Sequence, residues 1–191
     1  HFRNISNAGI PLVFFDRICD EIETDRVIVD AEAGAYEATR HLIETGCRNI
    51  IHLSGPLNLL IAKNRKEGFV RALMEYGFHG AEENIFKCDT GTEAHAIVPE
   101  LLKRKHLPDG IFAVNDLTAA EAMKIVKQNG FRVPDDISIV GFTSGMISDL
   151  TDPPLTSIEQ HGYSVGKEAV RLLINNIEKK SEGHFQTKII K

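Results

Sequence analysis

Short apolar runs rich in β-branched residues alternate along the chain with longer stretches of helical period, the pattern of βα units wound around a parallel sheet. Strands are predicted at Pro11 to Asp16, Arg26 to Asp30, Asn49 to Ser54, Ile85 to Cys88, Gly110 to Val114 and Ile137 to Phe142, with a terminal strand at Gln186 to Lys191. Their near-continuous apolar character predicts burial on both faces. Between them run stripes at i, i+3, i+4, i+7: Ala35, Ala38, Thr39, Leu42; Phe69, Ala72, Leu73, Tyr76; Ala119, Ala122, Met123, Val126; and Val170, Leu173, Ile174, Ile177. Each stripe is read as core. Gly46, Gly77 and Gly130 follow helical stretches at the position where a left-handed residue closes a helix. Helix Glu93 to Lys105 carries Pro99, which removes an amide donor and predicts a kink or restart. The segment His1 to Gly9 reads as the tail of a helix, and Thr143 to Thr156 as a long Pro-containing connection.

Composition narrows the function classes. The 191 residues are 42% hydrophobic and 26% charged, the balance of a chain that buries a core. A net charge of −5 without a dense basic run argues against this stretch gripping a phosphate backbone by itself. Cys19, Cys47 and Cys88 are an odd, widely spaced set, which points to free thiols in a reducing, cytoplasmic compartment and not to a disulfide framework. No apolar run reaches the roughly 18 residues of a membrane helix, so no membrane partner is expected.

Several chemistries are set aside. There is no G-x-G-x-x-G and no phosphate loop; Gly141 to Gly145 resembles a nucleophile elbow but places Thr143 at its centre and Ser144 one position late. Ser164 and Lys167 form an S-x-x-K on an amphipathic helix, read as surface. The histidines and cysteines show no metal-ligand spacing, and no cofactor or metal is expected. His41 and His52 read as structural histidines. The basic groups Lys63, Arg65, Lys66 and Lys103, Arg104, Lys105 read as solvated faces.

What remains are polar residues at the carboxyl ends of the strands, where doubly wound sheets bind ligands: Asp16 and Arg17, Asn115 and Asp116, Thr143 and Ser144, and the loop Gly55 to Leu60. Arg65, on the helix entered from that loop, offers a planar fork of donors suited to hydroxyl pairs or a carboxylate. Asn115 and Asp116 read equally as a helix N-cap.

The stretches IPLVFFDR (10–17), VDAEAGAYEATRHLIETGCRNIIHLSGP (29–56), NRKEGFVRALMEYG (64–77), PDGIFAVNDLTAAEAMKIVKQNGFRVPDDISIVGF (108–142) and DPPLTSIEQ (152–160) resemble the effector-binding domain of the lactose/galactose repressor family of bacterial transcription regulators. The resemblance implies an α/β, periplasmic-binding-protein-like (type I) fold of two doubly wound parallel-sheet lobes, with a sugar-like effector in the cleft between them. Three crossovers fall near Asp30, Gln160 and Glu182. Residues 1–30 and 161–182 then form an incomplete N-terminal lobe, and 31–160 with 183–191 the C-terminal lobe, the DNA-binding headpiece being absent. Position by position, Asp16 matches the acidic residue after the N-lobe strand, Arg65 the cleft arginine and Asn115 the asparagine of an N-D pair. Thr90 falls where relatives often stack an aromatic ring, which threonine cannot do. Thr143 falls where many carry an aspartate, which puts a plain hexopyranose in doubt. Met146, Ile147 and Leu150, apolar residues in a loop that would otherwise be exposed, together with the resemblance, predict a homodimer interface, and the resemblance implies operator DNA bound only through the headpiece. No catalytic residue is assigned. A transport-type sugar-binding protein is the alternative of the same fold, and an enzyme requiring Asp16 or Arg65 is the third.

Overall fold

The computed structural model describes residues 1–19, 21–178 and 184–191. The chain divides into two compact units, His1–Asp30 with His161–Lys191, and Ala31–Gln160.

The larger unit is a five-stranded, wholly parallel sheet between two helical layers. In chain order it contains α2 (Ala31–Glu44), β3 (Ile50–Ser54), α3 (Leu60–Glu75), a 3-10 turn (Ala81–Asn84), β4 (Ile85–Lys87), α4 (Gly91–Leu101), β5 (Gly110–Ala113), α5 (Asp116–Gln128), β6 (Ser138–Thr143), α6 (Met146–Leu150) and β7 (Thr156–Glu159). The spatial order is β4-β3-β5-β6-β7. Every residue of β3 and β5 is buried, as their near-continuous apolar character predicts, with His52 and Ser54 the polar exceptions in β3. The period-2 alternation of a strand then splits the core in two. Ile51, Leu53, Ile111, Ala113 and Ile139 face one layer with Val98, Ala119, Ala122 and Val126; Ile50, Phe112, Val140 and Phe142 face the other with Ala35, Ala38, Leu42 and Phe69. Helices α2 and α3 approach closely at Gly68, where an added Cβ would stand 2.1 Å from the Glu32 carbonyl oxygen. Pro99 lies inside the single helix α4 and does not split it.

The smaller unit contains α1 (Phe2–Asn7), β1 (Val13–Phe15), β2 (Asp25–Val29), α7 (Gly162–Ile177) and β8 (Thr187–Ile190). Its parallel sheet has the order β1-β2-β8, and Val27, Val165, Ala169 and Leu172 form its core.

Four features differ from the sequence expectation. The terminal strand does not join the sheet of residues 31–160: β8 pairs in parallel with β2, Val27 opposite Lys188 and Val29 opposite Ile190. Asp25 fixes this pairing, because its buried carboxylate accepts the Gln186 amide and the Asn176 side-chain amide, each at 2.7 Å. The stripe assigned to α7 is on the wrong side: Val170, Ile174 and Ile177 are exposed while Val165, Ala169 and Leu172 are buried. The segment 143–156 is no mere connection, since it contains α6 and leads into the edge strand β7. Finally, the helix expected over Glu93 to Lys105 runs instead from Gly91 to Leu101. Cys47 and Cys88 are buried, and Cys19 is partly so. The crossover expected near Glu182 lies outside the described residues.

Candidate ligand site at the carboxyl edge of the five-stranded sheet

Because the five strands are parallel, their last residues, Ser54, Lys87, Ala113, Thr143 and Glu159, share one edge. Two helices begin there with side-chain caps. Asn115 caps α5, its Oδ1 accepting the Thr118 amide at 2.8 Å. Thr90 caps α4, its Oγ accepting the Glu93 amide at 3.2 Å, and the Glu93 carboxylate returns to accept the amide of the preceding residue, Asp89, at 2.9 Å. The Asn115 amide also donates to the Asp89 carbonyl at 3.4 Å, so the two caps touch. Lys87, bonded to Glu93 at 2.6 Å, is the main cause that holds the Glu93 carboxyl down to about 2. Burial and the neighbouring Glu93 push Asp89 the other way, upward.

Arg65 occupies the floor. It is not the solvated residue that the basic cluster suggests but is buried, at 5% exposure. Its Nη1 donates to the Val114 carbonyl at 2.5 Å, and its guanidinium carbon lies 3.8 Å from the Phe142 ring centroid. Beneath it His52 stacks on Phe112 at 4.6 Å, with Nδ1 3.0 Å from the Phe112 carbonyl, so Nδ1 carries the proton. Burial, with the Arg65 charge adding to it, drives this imidazole down to about 4 and keeps it neutral.

Thr143 ends β6 with its hydroxyl turned onto the Phe142 carbonyl. It and Ser144 both have positive φ, 150° and 54°, where residues with a Cβ are strained. Asp116 stabilises this corner. Only 3% exposed, it accepts the Gly145 amide on Oδ2 at 3.0 Å and the Ser157 hydroxyl on Oδ1 at 2.5 Å, and Ser157 in turn accepts the Ser144 amide at 3.0 Å.

Thus Arg65, Asn115, Thr90 and Thr143 gather on one edge, linked through Val114, Asp89 and Phe142. Asp16 belongs to the smaller unit. It is exposed, directly follows β1 and has φ 59°. Met146 and Leu150 are 79% and 76% exposed on α6, with Ile147 partly so. The sequence placed Asp116 beside Asn115 at the strand end but gave it no role apart from the cap, which falls to Asn115. Among the described residues no helix is long and apolar enough to cross a membrane.

Residues 39–190 match the family model of a periplasmic binding protein-like domain. The chain belongs to that family. Within the periplasmic-binding-protein-like family its likeness is to LacI-type regulators. It is 38% identical over 175 residues to the HTH-type transcriptional repressor PurR of Aliivibrio salmonicida, covering 91% of this chain and 53% of the relative. It is 38% identical over 180 residues to the ribose operon repressor of Halalkalibacterium halodurans, covering 94% and 53%. Its fold superposes on a transcriptional regulator CelR–cellobiose complex with a TM-score of 0.89 at 30% identity, covering 97% of this chain and 57% of the other. A LacI family regulator from Enterococcus faecium with bound ribose gives 0.88 at 26% identity, covering 98% and 69%. The chain spans about half the length of the curated relatives it matches.

Proposed function

We propose that these residues are the effector-binding and dimerisation part of a cytoplasmic bacterial transcription repressor, sensing a sugar or sugar derivative. The observation that carries the reading is the grouping of a guanidinium fork (Arg65), a side-chain amide (Asn115) and a hydroxyl (Thr143) around Val114 and Phe142. Planar guanidinium and amide donors suit the hydroxyl groups of a sugar. Two structural neighbours have names that state bound cellobiose and ribose. Threonine at 143 and at 90 offers neither charge nor ring, which favours a sugar derivative over a plain hexopyranose. Asp16 is proposed as a further ligand contact on the sequence resemblance. Operator DNA is assigned to a headpiece outside these residues, and the reading is of binding without turnover.

An effector shifts such a regulator only by its differential affinity for two conformers, a coupling typically of about 1–3 kcal/mol. The test is a thermal-shift series with D-ribose, cellobiose, sugar acids and nucleosides. Support is a concentration-dependent rise in Tm for one class that Asn115→Ala abolishes. Flat curves for every class would overturn the reading.

A further inference from the structure

Asp116 is a carboxylate inside the molecule, and its hydrogen bonds all lead to the corner between β6 and α6. Its Oδ2 takes the amide of Gly145, the residue preceding α6. Gly145 in turn supports the first turn of α6, since its carbonyl accepts both the amide and the hydroxyl of Ser148, at 3.0 and 2.6 Å. Ser148 is buried, and its carbonyl accepts the Leu155 amide at 2.9 Å at the entry to β7. Asp116 Oδ1 reaches β7 directly through Ser157, and Ser157 holds the Ser144 amide. Asp116 also follows Asn115, so the same helical turn carries one residue of the ligand edge on its cap and the root of α6 on its first side chain.

We propose that Asp116 is a positioning residue which locks Thr143, Ser144 and the root of α6 into one rigid piece with the cap of α5, so that a ligand held at Asn115 and Thr143 sets the placement of α6. The inference rests on the carboxyl edge being the ligand site. It deepens that reading by naming the route from the site to the exposed apolar residues of α6. The lock has little slack: a Cβ on Gly141 would lie 2.4 Å from Asp116 Oδ1, so the carboxylate fills the space above β6. The Gly145 and Ser144 amide bonds hold the positive φ values of Thr143 and Ser144, working beside the ladder that pairs Thr143 with Glu159.

Hydrogen exchange on the intact chain tests this. Asp116→Ala is expected to speed exchange of the Ser144, Gly145 and Ser148 amides by about tenfold or more, with the amides of β5 and the second half of α5 unchanged. Asp116→Asn is expected to stay near wild type, since its carbonyl accepts Gly145 and its NH2 donates to Ser157, whose hydroxyl can rotate. Ser157→Ala, a milder change, is expected to free Ser144 while Gly145 stays protected. Wild-type exchange at Gly145 and Ser148 in Asp116→Ala, or equal acceleration across β5 and α5, would overturn the proposal; if that variant does not fold, unchanged Ser144 exchange in Ser157→Ala overturns it. With millimolar D-ribose or cellobiose, slowing that begins at Asn115 and Thr143 should extend to Ser148 in wild type and Asp116→Asn. Slowing confined to Asn115 and Thr143 counts against the route. If neither sugar slows exchange anywhere, the choice of sugar fails and the variant data alone decide the role of Asp116.

Discussion

Gly141 lies directly under Asp116: a methyl group added to its Cα would stand 2.4 Å from the carboxylate Oδ1 and 2.9 Å from Leu155 Cδ2. No side chain fits there without moving a buried charge off its hydrogen bonds. Gly141→Ala is therefore expected to lower stability by about 1–3 kcal/mol, the usual cost of overpacking a filled core. Urea unfolding checks it, and an unchanged midpoint would show that the corner yields.

Arg65 is both floor and ligand candidate, so Arg65→Ala should lose more than binding. The substitution removes a buried guanidinium from the Phe142 ring and from the Val114 carbonyl, a loss of about 2–4 kcal/mol. Arg65→Lys keeps the charge without the planar fork and is expected to fall between the two. Thermal unfolding read beside sugar binding separates the two contributions, and an Ala variant as stable as wild type would return Arg65 to a solvated role.

Val140, 2% exposed at the centre of β6, packs among Phe112, Phe142 and Leu42. Val140→Asp places a carboxylate there without a partner, and the residues 31–160 should fail to fold, the cost being several kcal/mol, on the order of the whole stability. Circular dichroism of the purified variant would show it; a cooperative transition near the wild-type temperature contradicts it.

His52 makes stability depend on pH. Its folded pKa of about 4 lies below the ordinary value of 6.5, so the unfolded chain binds the extra proton between these values. Stability from this group is complete above pH 6.5 and falls as the pH drops toward 4, by roughly 3 kcal/mol in all. Glu93 and Asp136, both held down to about 2, lose their contribution only from the ordinary carboxylate range downward, whereas Asp89, pushed upward, acts with the opposite sign to His52. His52→Leu should flatten the unfolding free energy across the window from pH 6.5 toward 4; an unchanged slope would place the titration elsewhere.

Met146 and Leu150 are proposed to bury their exposed side chains against a second copy. Met146→Asp with Leu150→Asp should convert a dimer to a monomer while leaving the unfolding free energy at low concentration within about 1 kcal/mol of wild type, as for surface changes. Sedimentation velocity distinguishes the outcomes, and a dimer that survives both charges rules α6 out.

Much of the architecture was legible because local and global signals agree. The runs Ile50 to Leu53 and Gly110 to Ala113 are largely apolar on both sides, His52 excepted, because both sides are covered, and Gly46, Gly77 and Gly130 do take positive φ, at 107°, 79° and 88°. The strand Thr156–Glu159 escaped notice because it is an edge: Ser157 and Ile158 are partly buried between exposed ends, too short an alternation to stand out. In α7 apolar residues occupy two faces, so periodicity alone could not choose Leu172 over Ile174. Which sheet receives the final strand depends on Asp25 meeting Gln186, a contact across the chain that no local pattern encodes. At the site, position after a strand located Asn115 and Thr143, but the burial of Arg65 and the network of Asp116 arise only when β6 and β7 come together with α3 and α5.

The three thiols give each unit its own clock. Cys88 is sealed, with burial pushing it up to about 12, and Cys47 is raised by the same cause, so neither reacts with an alkylating reagent until the residues 31–160 open. Cys19 reports from the other unit at partial exposure. Modification rates followed peptide by peptide would therefore time the breathing of the two halves separately, with no engineered label.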